Sequence, residues 1–160
     1  MIEALVVVAM VAILASIAYP SMQDLMKASK LRGASSDFYS DLLAARSEAI
    51  KRRTNVSVSP SGGSWTGGWS VTFAASTLRN HEPLAGDIQV QVNIPAAPAS
   101  PITYGSNGRP TCLPASCVRT TVIFYVTGTP GAQARCIGIS PSGLPNIRTD
   151  TNNDATDGCN

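Results

Sequence analysis

From Ala4 to Tyr19 the chain is apolar except for Ser16, and an acid, Glu3, stands just ahead of the run. Few architectures accept such a stretch. A helix needs about 20 residues, at 1.5 Å rise each, to cross a hydrocarbon core. The run therefore reads as a helix that crosses a membrane. Glu3 is the anomaly, because a carboxylate at the edge of lipid costs roughly 3 kcal/mol on insertion scales. An ionised group out of water must be paired or neutralised, so Glu3 asks for a positive partner. Two plainer readings compete. A secretory signal peptide has an apolar core and a small-x-small site, and Ser16-Ile17-Ala18 would serve; it also wants a positive n-region, where this chain has an acid. A simple membrane-anchored domain accounts for the run and leaves Glu3 without a purpose.

After Pro20 the pattern changes without losing its helical period. Leu31, Ala34, Phe38, Leu42, Ala45 and Ala49 recur at steps of three and four, one apolar stripe on a helix. The other faces carry the charges, among them Asp24, Lys27, Arg32, Asp37, Asp41, Arg46 and Glu48. Pro20 should kink the helix, because it removes a backbone donor and crowds the preceding turn. Gly33 weakens it by about 1 kcal/mol relative to Ala. A continuous helix from Ile2 to Arg52 would be roughly 75 Å long.

From Asn55 onward the period becomes two. Val56 and Val58 alternate with serines, and Pro60-Ser61-Gly62-Gly63-Ser64 is a turn. Trp65 to Phe73 is a second strand with Trp69, Val71 and Phe73 on one face. Ala74 to Asp87 reads as a loop holding His81, beside Glu82, as an exposed surface residue. Ile88, Val90, Val92 and Ile94 make the cleanest strand, and Pro95 to Pro101 a linker. Ile102-Thr103-Tyr104, Thr120 to Val126 and Arg135 to Ser140 are further strands. Asn146-Ile147-Arg148 pairs back as an edge, and Thr149 to Asn160 is an irregular polar tail. The fold class expected is α+β: a long N-terminal helix, membrane-spanning in its first half, packed on an antiparallel β-sheet domain. Its parts are residues 1–20 in the membrane, 21–53 the amphipathic continuation, and 54–160 the disulfide-bonded β domain.

The chain has 160 residues, room for one soluble domain beside the membrane helix. Its charge is +2, from 12 basic and 10 acidic residues, which argues for no strongly acidic or basic partner. Four cysteines behind an export-type N-terminus suggest two disulfides in an oxidising compartment. Cys112–Cys117 and Cys136–Cys159 are the expected pairs, and the other two pairings stay open. The spacing suits zinc poorly, and His81 is the single histidine. No phosphate-binding glycine loop and no G-x-S-x-G elbow occurs in the sequence. The chain reads as no enzyme and as needing no cofactor.

Ile2-Glu3-Ala4-Leu5-Val6-Val7-Val8, with Ile13-Leu14-Ala15-Ser16-Ile17-Ala18-Tyr19-Pro20-Ser21, resembles the start of a mature type IV pilin or type II secretion pseudopilin. In that superfamily a glutamate just inside the N-terminus neutralises the terminal amine of a neighbouring subunit during assembly, and Glu3 would be that residue. In the superfamily a short basic leader, then Phe and usually Thr, precedes the residue matching Met1, and this sequence departs from that pattern in not containing them. The resemblance thus implies a prepilin peptidase acting upstream and methylation of the mature N-terminus. Leu42-Leu43-Ala44-Ala45-Arg46-Ser47-Glu48-Ala49-Ile50-Lys51-Arg52, Gly68-Trp69, Gly108-Arg109 and Ser140-Pro141-Ser142-Gly143 resemble the GspH/FimT branch of minor pilins and pseudopilins. That branch implies the pilin fold and a low-abundance subunit that helps initiate, prime or cap a filament. Its partners would be other pilins, with the bacterial inner membrane and the assembly platform before assembly. A major pilin is the alternative within the superfamily.

Some members of the branch bind DNA for uptake through Gly-Arg-x-Arg after a Ser-x-Gly turn. The matching stretch here is Gly143-Leu144-Pro145-Asn146-Ile147-Arg148, with Leu144 in place of the first arginine. Phosphate binding scales with the cations engaged, and Arg135 with Arg148 make a thin patch opposed by Asp150, Asp154 and Asp157. Asp150, Asn152 and Asp154 place oxygens at alternate positions, like the front of a calcium loop, without the glycine and the bidentate glutamate that follow. A solvated acidic loop held by Cys159 is the reading preferred.

Overall fold

The structure is a computed structural model and describes residues 2–74, 76–93, 100–111, 120–127, 129, 132–151 and 159. One helix, α1 (Ile2–Arg52), is followed by β1 (Val56–Ser61), β2 (Ser64–Phe73), β3 (Ser76–His81), β4 (Ile88–Asn93), β5 (Ile102–Tyr104), β6 (Pro110–Thr111), β7 (Thr120–Val126), β8 (Arg135–Ile139) and β9 (Pro145–Thr149). The helix has 51 residues and continues through Pro20 as a single element. The expected kink concerns an angle within it, and the element is not interrupted there.

The apolar stripe is the reason the helix packs at all. Leu31, Phe38, Leu42, Ala45 and Ala49 are all at most 1% exposed, with Ala28 and Ala34 nearly as buried. Burying a Leu or Phe side chain is worth about 1.5–3 kcal/mol. Alanines at the helix's end let the strands come close. Phe38 sits at the centre, with ring centroids 5.5 Å from Trp65, 5.0 Å from Trp69 and 5.4 Å from Phe124.

Those rings come from two sheets. One holds five strands in the order β3-β2-β1-β5-β6, the other four in the order β4-β7-β8-β9. Every pairing is antiparallel. The single sheet expected from alternation is thus divided. The chain makes the β1–β2–β3 meander, crosses to place β4 at an edge of the other sheet, and returns for β5 beside β1. It then completes the second sheet with β7–β8–β9. Alternation reports which face of a strand is buried and says nothing about its neighbour. Both inner faces and the helix share one core.

Three local readings need correction. Ala74 to Asp87 is no plain loop, because β3 pairs with β2 through Trp69↔His81, Ser70↔Asn80 and Val71↔Arg79. Its sequence, Ser-Thr-Leu-Arg-Asn-His, is polar because β3 is a sheet edge with a mostly exposed face. The turn after β5 runs into a further short strand, β6. Asp41 does not face solvent: it is 8% exposed and accepts hydrogen bonds from the Trp69 indole N–H (2.9 Å) and Arg79 (2.7 Å). A helical wheel assigns a carboxylate outward, whereas here two donors from the β2–β3 hairpin replace its water. The tail begins as read, since β9 ends at Thr149, but Asp150 is fully buried and its N–H is donated to the Ala134 carbonyl.

Two glycine turns clamp the sheets to each other beside the helix. Gly108 and Gly143 have φ of +71° and +84°, and a Cβ on Gly143 would lie 1.9 Å from the Gly108 carbonyl oxygen. Arg46 donates to that same oxygen at 3.1 Å. The disulfide Cys136–Cys159, with Cα atoms 6.2 Å apart, ties the chain's end to β8. A loop of that size stabilises by about 3 kcal/mol in the chain-entropy account. Cys112 and Cys117 lie outside the described residues.

Phe38→Ala should destabilise the fold by about 3–5 kcal/mol, because three aromatic rings lose their common neighbour. Thermal unfolding of the full chain in detergent measures it, and a loss below 1 kcal/mol would contradict the central placement of this ring. Gly143→Ala adds a left-handed backbone penalty to a clash with main chain, and should cost about 3 kcal/mol or more. The same melt should place it close to Phe38→Ala.

Candidate assembly interface

The helix meets the body of the protein only from Ala28 onward. Before that, α1 projects for roughly 40 Å at 1.5 Å per residue. Ile2, Leu5, Val8, Met10, Ile13 and Leu14 are all at least 60% exposed, and so are Tyr19 and Leu25. An 18-residue window of this segment has a mean hydropathy of 2.4 and none of it is buried within the chain. Soluble monomers do not leave an apolar surface of this extent in water. Lipid or neighbouring apolar helices must cover it.

Glu3 lies in the first turn of α1 and is exposed at the far tip of this rod. A carboxylate at a helix N-terminus is favoured by the helix dipole, and among the described residues no cation lies beside it. Its nearest neighbours in sequence are Ile2, Ala4 and Leu5. Among the described residues the acid and the apolar shaft share one trait: neither has a partner within the chain.

Farther along, the two flanks of α1 differ. On one flank Asp37, Asp41 and Arg52 meet β2 and β3. His81 stacks on Trp69, with ring centroids 3.9 Å apart and planes at 14°, and its Nε2 lies 3.4 Å from Asp37. His81 is thus half-buried against an indole, where the sequence placed it on an exposed loop. Arg52 lies over the Phe73 ring at 4.8 Å and pairs with Glu48. The Arg52 hydrogen bond is the main reason the Glu48 carboxyl titrates below its ordinary value. On the other flank Arg46 reaches the Gly108 carbonyl. Tyr104, behind it, is fully buried, and burial pushes its hydroxyl pKa well above the usual range.

The two arginines weighed for DNA do not act together. Phe124↔Arg135↔Thr149 is one cross-strand row and Ile123↔Cys136↔Arg148 is the next. Adjacent rows point to opposite faces of a sheet. Arg135 lies on the face that carries Phe124 and bonds the Thr149 hydroxyl at 2.8 Å. Arg148 lies on the outer face with the disulfide. Of the acids near them, Asp150 is buried; Asp154 and Asp157, with the amide Asn152, lie outside the described residues.

Among the described residues no three His, Cys, Asp or Glu side chains gather in a way that could hold a metal ion. A cavity of about 460 Å³ between the β1–β2 turn and β4 is lined by Trp65, Val90, Val92, Gln91 and Tyr125, with Tyr125 its one titratable group.

The architecture has known counterparts. The type IV minor pilin FimU of Pseudomonas aeruginosa strain PAO1, in space group P21, superposes with a TM-score of 0.62 at 22% identity, over 85% of this chain and 99% of that one. A second crystal form of FimU gives 0.59 at 22% identity, over 81% and 99%. The minor pseudopilin EpsH from the Type 2 Secretion System of Vibrio cholerae gives 0.57 at 15% identity, over 75% and 97%. At these identities the likeness is one of fold, a long helix on antiparallel sheets. No curated protein sequence matches this chain. The family model described as Type II transport protein GspH matches residues 34–143, from the middle of α1 to the β8–β9 turn. With well over half of its length matched, the chain belongs to the GspH family, whose members are structural subunits of the pilin type and not enzymes.

Proposed function

We propose that this chain is a minor, low-abundance subunit that helps initiate, prime or cap a type IV pilus or a type II secretion pseudopilus. The observation that carries this reading is the bare apolar half of α1 with Glu3 at its tip. Family membership supplies the context, since pilin-type subunits assemble into filaments with one another. Before assembly the apolar half lies in the bacterial inner membrane, next to the assembly platform. The disulfide-bonded body lies outside the cytoplasm, where Cys136–Cys159 persists. A prepilin peptidase acts ahead of the residues described.

The mechanism is physical. Extraction from the membrane would be prohibitive if the shaft met water, so it passes from acyl chains directly to neighbouring helices of equal apolarity. Transfer between two apolar surroundings has little net hydrophobic cost. Glu3 then sets the axial register. Its charge is unpaired in lipid, and a neighbour's terminal amine at the same depth removes that penalty. A subunit out of register leaves both charges unpaired, so the pair selects one stagger among many that the greasy shaft alone would accept.

Glu3→Ala should lower incorporation into sheared filaments by roughly a hundredfold, the factor for about 3 kcal/mol lost when a desolvated ion pair loses one partner. The disulfide-bonded body should melt as before. Normal incorporation of this variant would remove the reading. The arrangement of Arg135 and Arg148 on opposite sheet faces also predicts no salt-sensitive shift of double-stranded DNA by the full chain in detergent. A strong shift abolished by Arg148→Ala would instead favour a DNA-uptake role.

A further inference from the structure

Two open sheets leave four edges, and three of them are guarded. An edge strand bares a row of unpaired main-chain donors and acceptors, and folded proteins blunt such rows with charge, proline, brevity or irregular register. The edge strand β3 carries Arg79, and its register against β2 shifts between Val71 and Thr72. The edge strand β6 is two residues long and begins with Pro110. The edge strand β9 begins with Pro145 and carries Arg148. The fourth edge, β4, has none of these devices. It reads Ile-Gln-Val-Gln-Val-Asn over six residues, without charge or proline, and its register against β7 runs without a shift. A flat, uncharged strand with β-branched residues at alternate positions is the kind that pairs with another chain.

The register also fixes which way the free groups of β4 point. The Ile88 N–H is donated to the Ala85 carbonyl at 2.8 Å, so Ile88 and Val126 are opposite each other without being a hydrogen-bonded pair. Bonded and non-bonded pairs alternate along an antiparallel ladder. Gln89 and Gln91 therefore direct their main-chain groups to β7, whereas those of Val90 and Val92 point to the open side. Among the described residues no strand pairs with them there. The cavity of about 460 Å³ lies on that side. It touches Val90, Val92 and Trp65, which belong to the core, and also Gln91 and Tyr125 on the outer face, so it runs alongside the strand's edge. Gly63, Ser64 and Trp65 form the opposite wall, and no charged side chain lines the space.

We propose that the open edge of β4 is a strand acceptor, which binds an extended, uncharged segment of a partner protein as an added antiparallel strand between β4 and the β1–β2 turn. Main-chain groups of Val90 and Val92 supply the hydrogen bonds, and the cavity supplies the selection by side chain. In antiparallel pairing, residues that bond each other lie opposite and share a face. The partner residues bonded to Val90 and Val92 therefore turn their side chains toward Trp65 and the core, and small apolar side chains suit that place. A charged side chain there would lose its water without gaining a counter-ion. The wall at Gly63 to Trp65 also excludes a second copy of this chain as the occupant, because the β4 of another copy brings β7 alongside it and the space is closed on that side. A lone strand fits. This site goes beyond the filament role and does not depend on Glu3.

The test follows amide hydrogen exchange in the full chain in detergent, with a capped peptide, Ser-Val-Ser-Val-Ser-Val, as the probe. In the free chain the amides of Val90 and Val92 should exchange at least about tenfold faster than those of Gln89 and Gln91. The peptide should slow the two valine amides by about tenfold or more. N-methylation of the peptide's valines, or their replacement by lysine, should abolish this protection, and N-methylation of its serines should not. Val92→Pro removes an outward N–H and no ladder bond, so it should melt close to the parent chain and bind the peptide about tenfold more weakly. Gln91→Pro cuts the ladder to β7 and should melt lower. Ser64→Trp fills the cavity from the opposite wall and should block binding with β4 untouched. Slow exchange at Val90 and Val92 in the free chain would overturn the proposal, as would protection that grows with the concentration of the chain alone, which a second copy would produce. Absence of protection by the peptide, equal binding of the valine-methylated form, undiminished binding to Val92→Pro or Ser64→Trp, or a melt of Val92→Pro as low as that of Gln91→Pro would do the same. Incorporation of Glu3→Ala into filaments is read separately, so the filament role stands or fails on its own.

Discussion

Phe38 is the point at which one helix and two sheets become one body. Its ring meets Trp65 and Trp69 from β2 and Phe124 from β7, mostly edge to face, within one shared core. Neither sheet could close this core alone, because each is open and presents a single apolar face. The helix is the wall they share. It follows that the body can form only around the part of α1 that carries the stripe, from Ala28 to Ala49. Everything ahead of it is left outside by construction.

Polar contacts fix the rotation of that wall. On one flank Asp41 holds the β2–β3 hairpin through Trp69 and Arg79, and His81 stacks over the same indole. The Arg79 contact is half exposed and contributes modestly. The buried indole hydrogen bond matters more, because its loss would leave an N–H without water or partner. On the opposite flank the turns at Gly108 and Gly143 lock main chain to main chain, and Arg46 caps the junction. Held from both sides, the helix presents one remaining face outward, and that face is continuous with the bare shaft. Assembly in this family therefore has a structural logic that begins in the core. Packing that completes the body also determines which side of the rod is free.

Much of this was legible in the residues. The step of three and four from Leu31 to Ala49 marked the buried stripe, and β7, β5 and β8 stand close to where their β-branched and aromatic runs lie. Glu3 ahead of an apolar run singled out the end of the chain at which assembly is proposed. What was illegible was pairing and partnership. The strand β3 was missed because an exposed edge strand has no apolar alternation to display. Asp41 was assigned to solvent because its donors come from residues 28 and 38 positions away. Arg135 and Arg148 looked like neighbours on a line, and only the register put them on opposite faces.

The sequence by itself determined that the chain is a long helix, greasy first and amphipathic after, followed by strands, with an acid at the helix's open end. Those are consequences of local period and composition, which each segment carries without reference to the others. The tertiary structure alone decided that the strands divide into two sheets, that β4 pairs with β7 and β5 with β1, and that α1 is held by hydrogen bonds on both flanks with one face left open. These depend on contacts between residues far apart in the chain, where the free energy of one arrangement over another comes from how well two faces fill a shared core. No window of neighbouring residues contains that information.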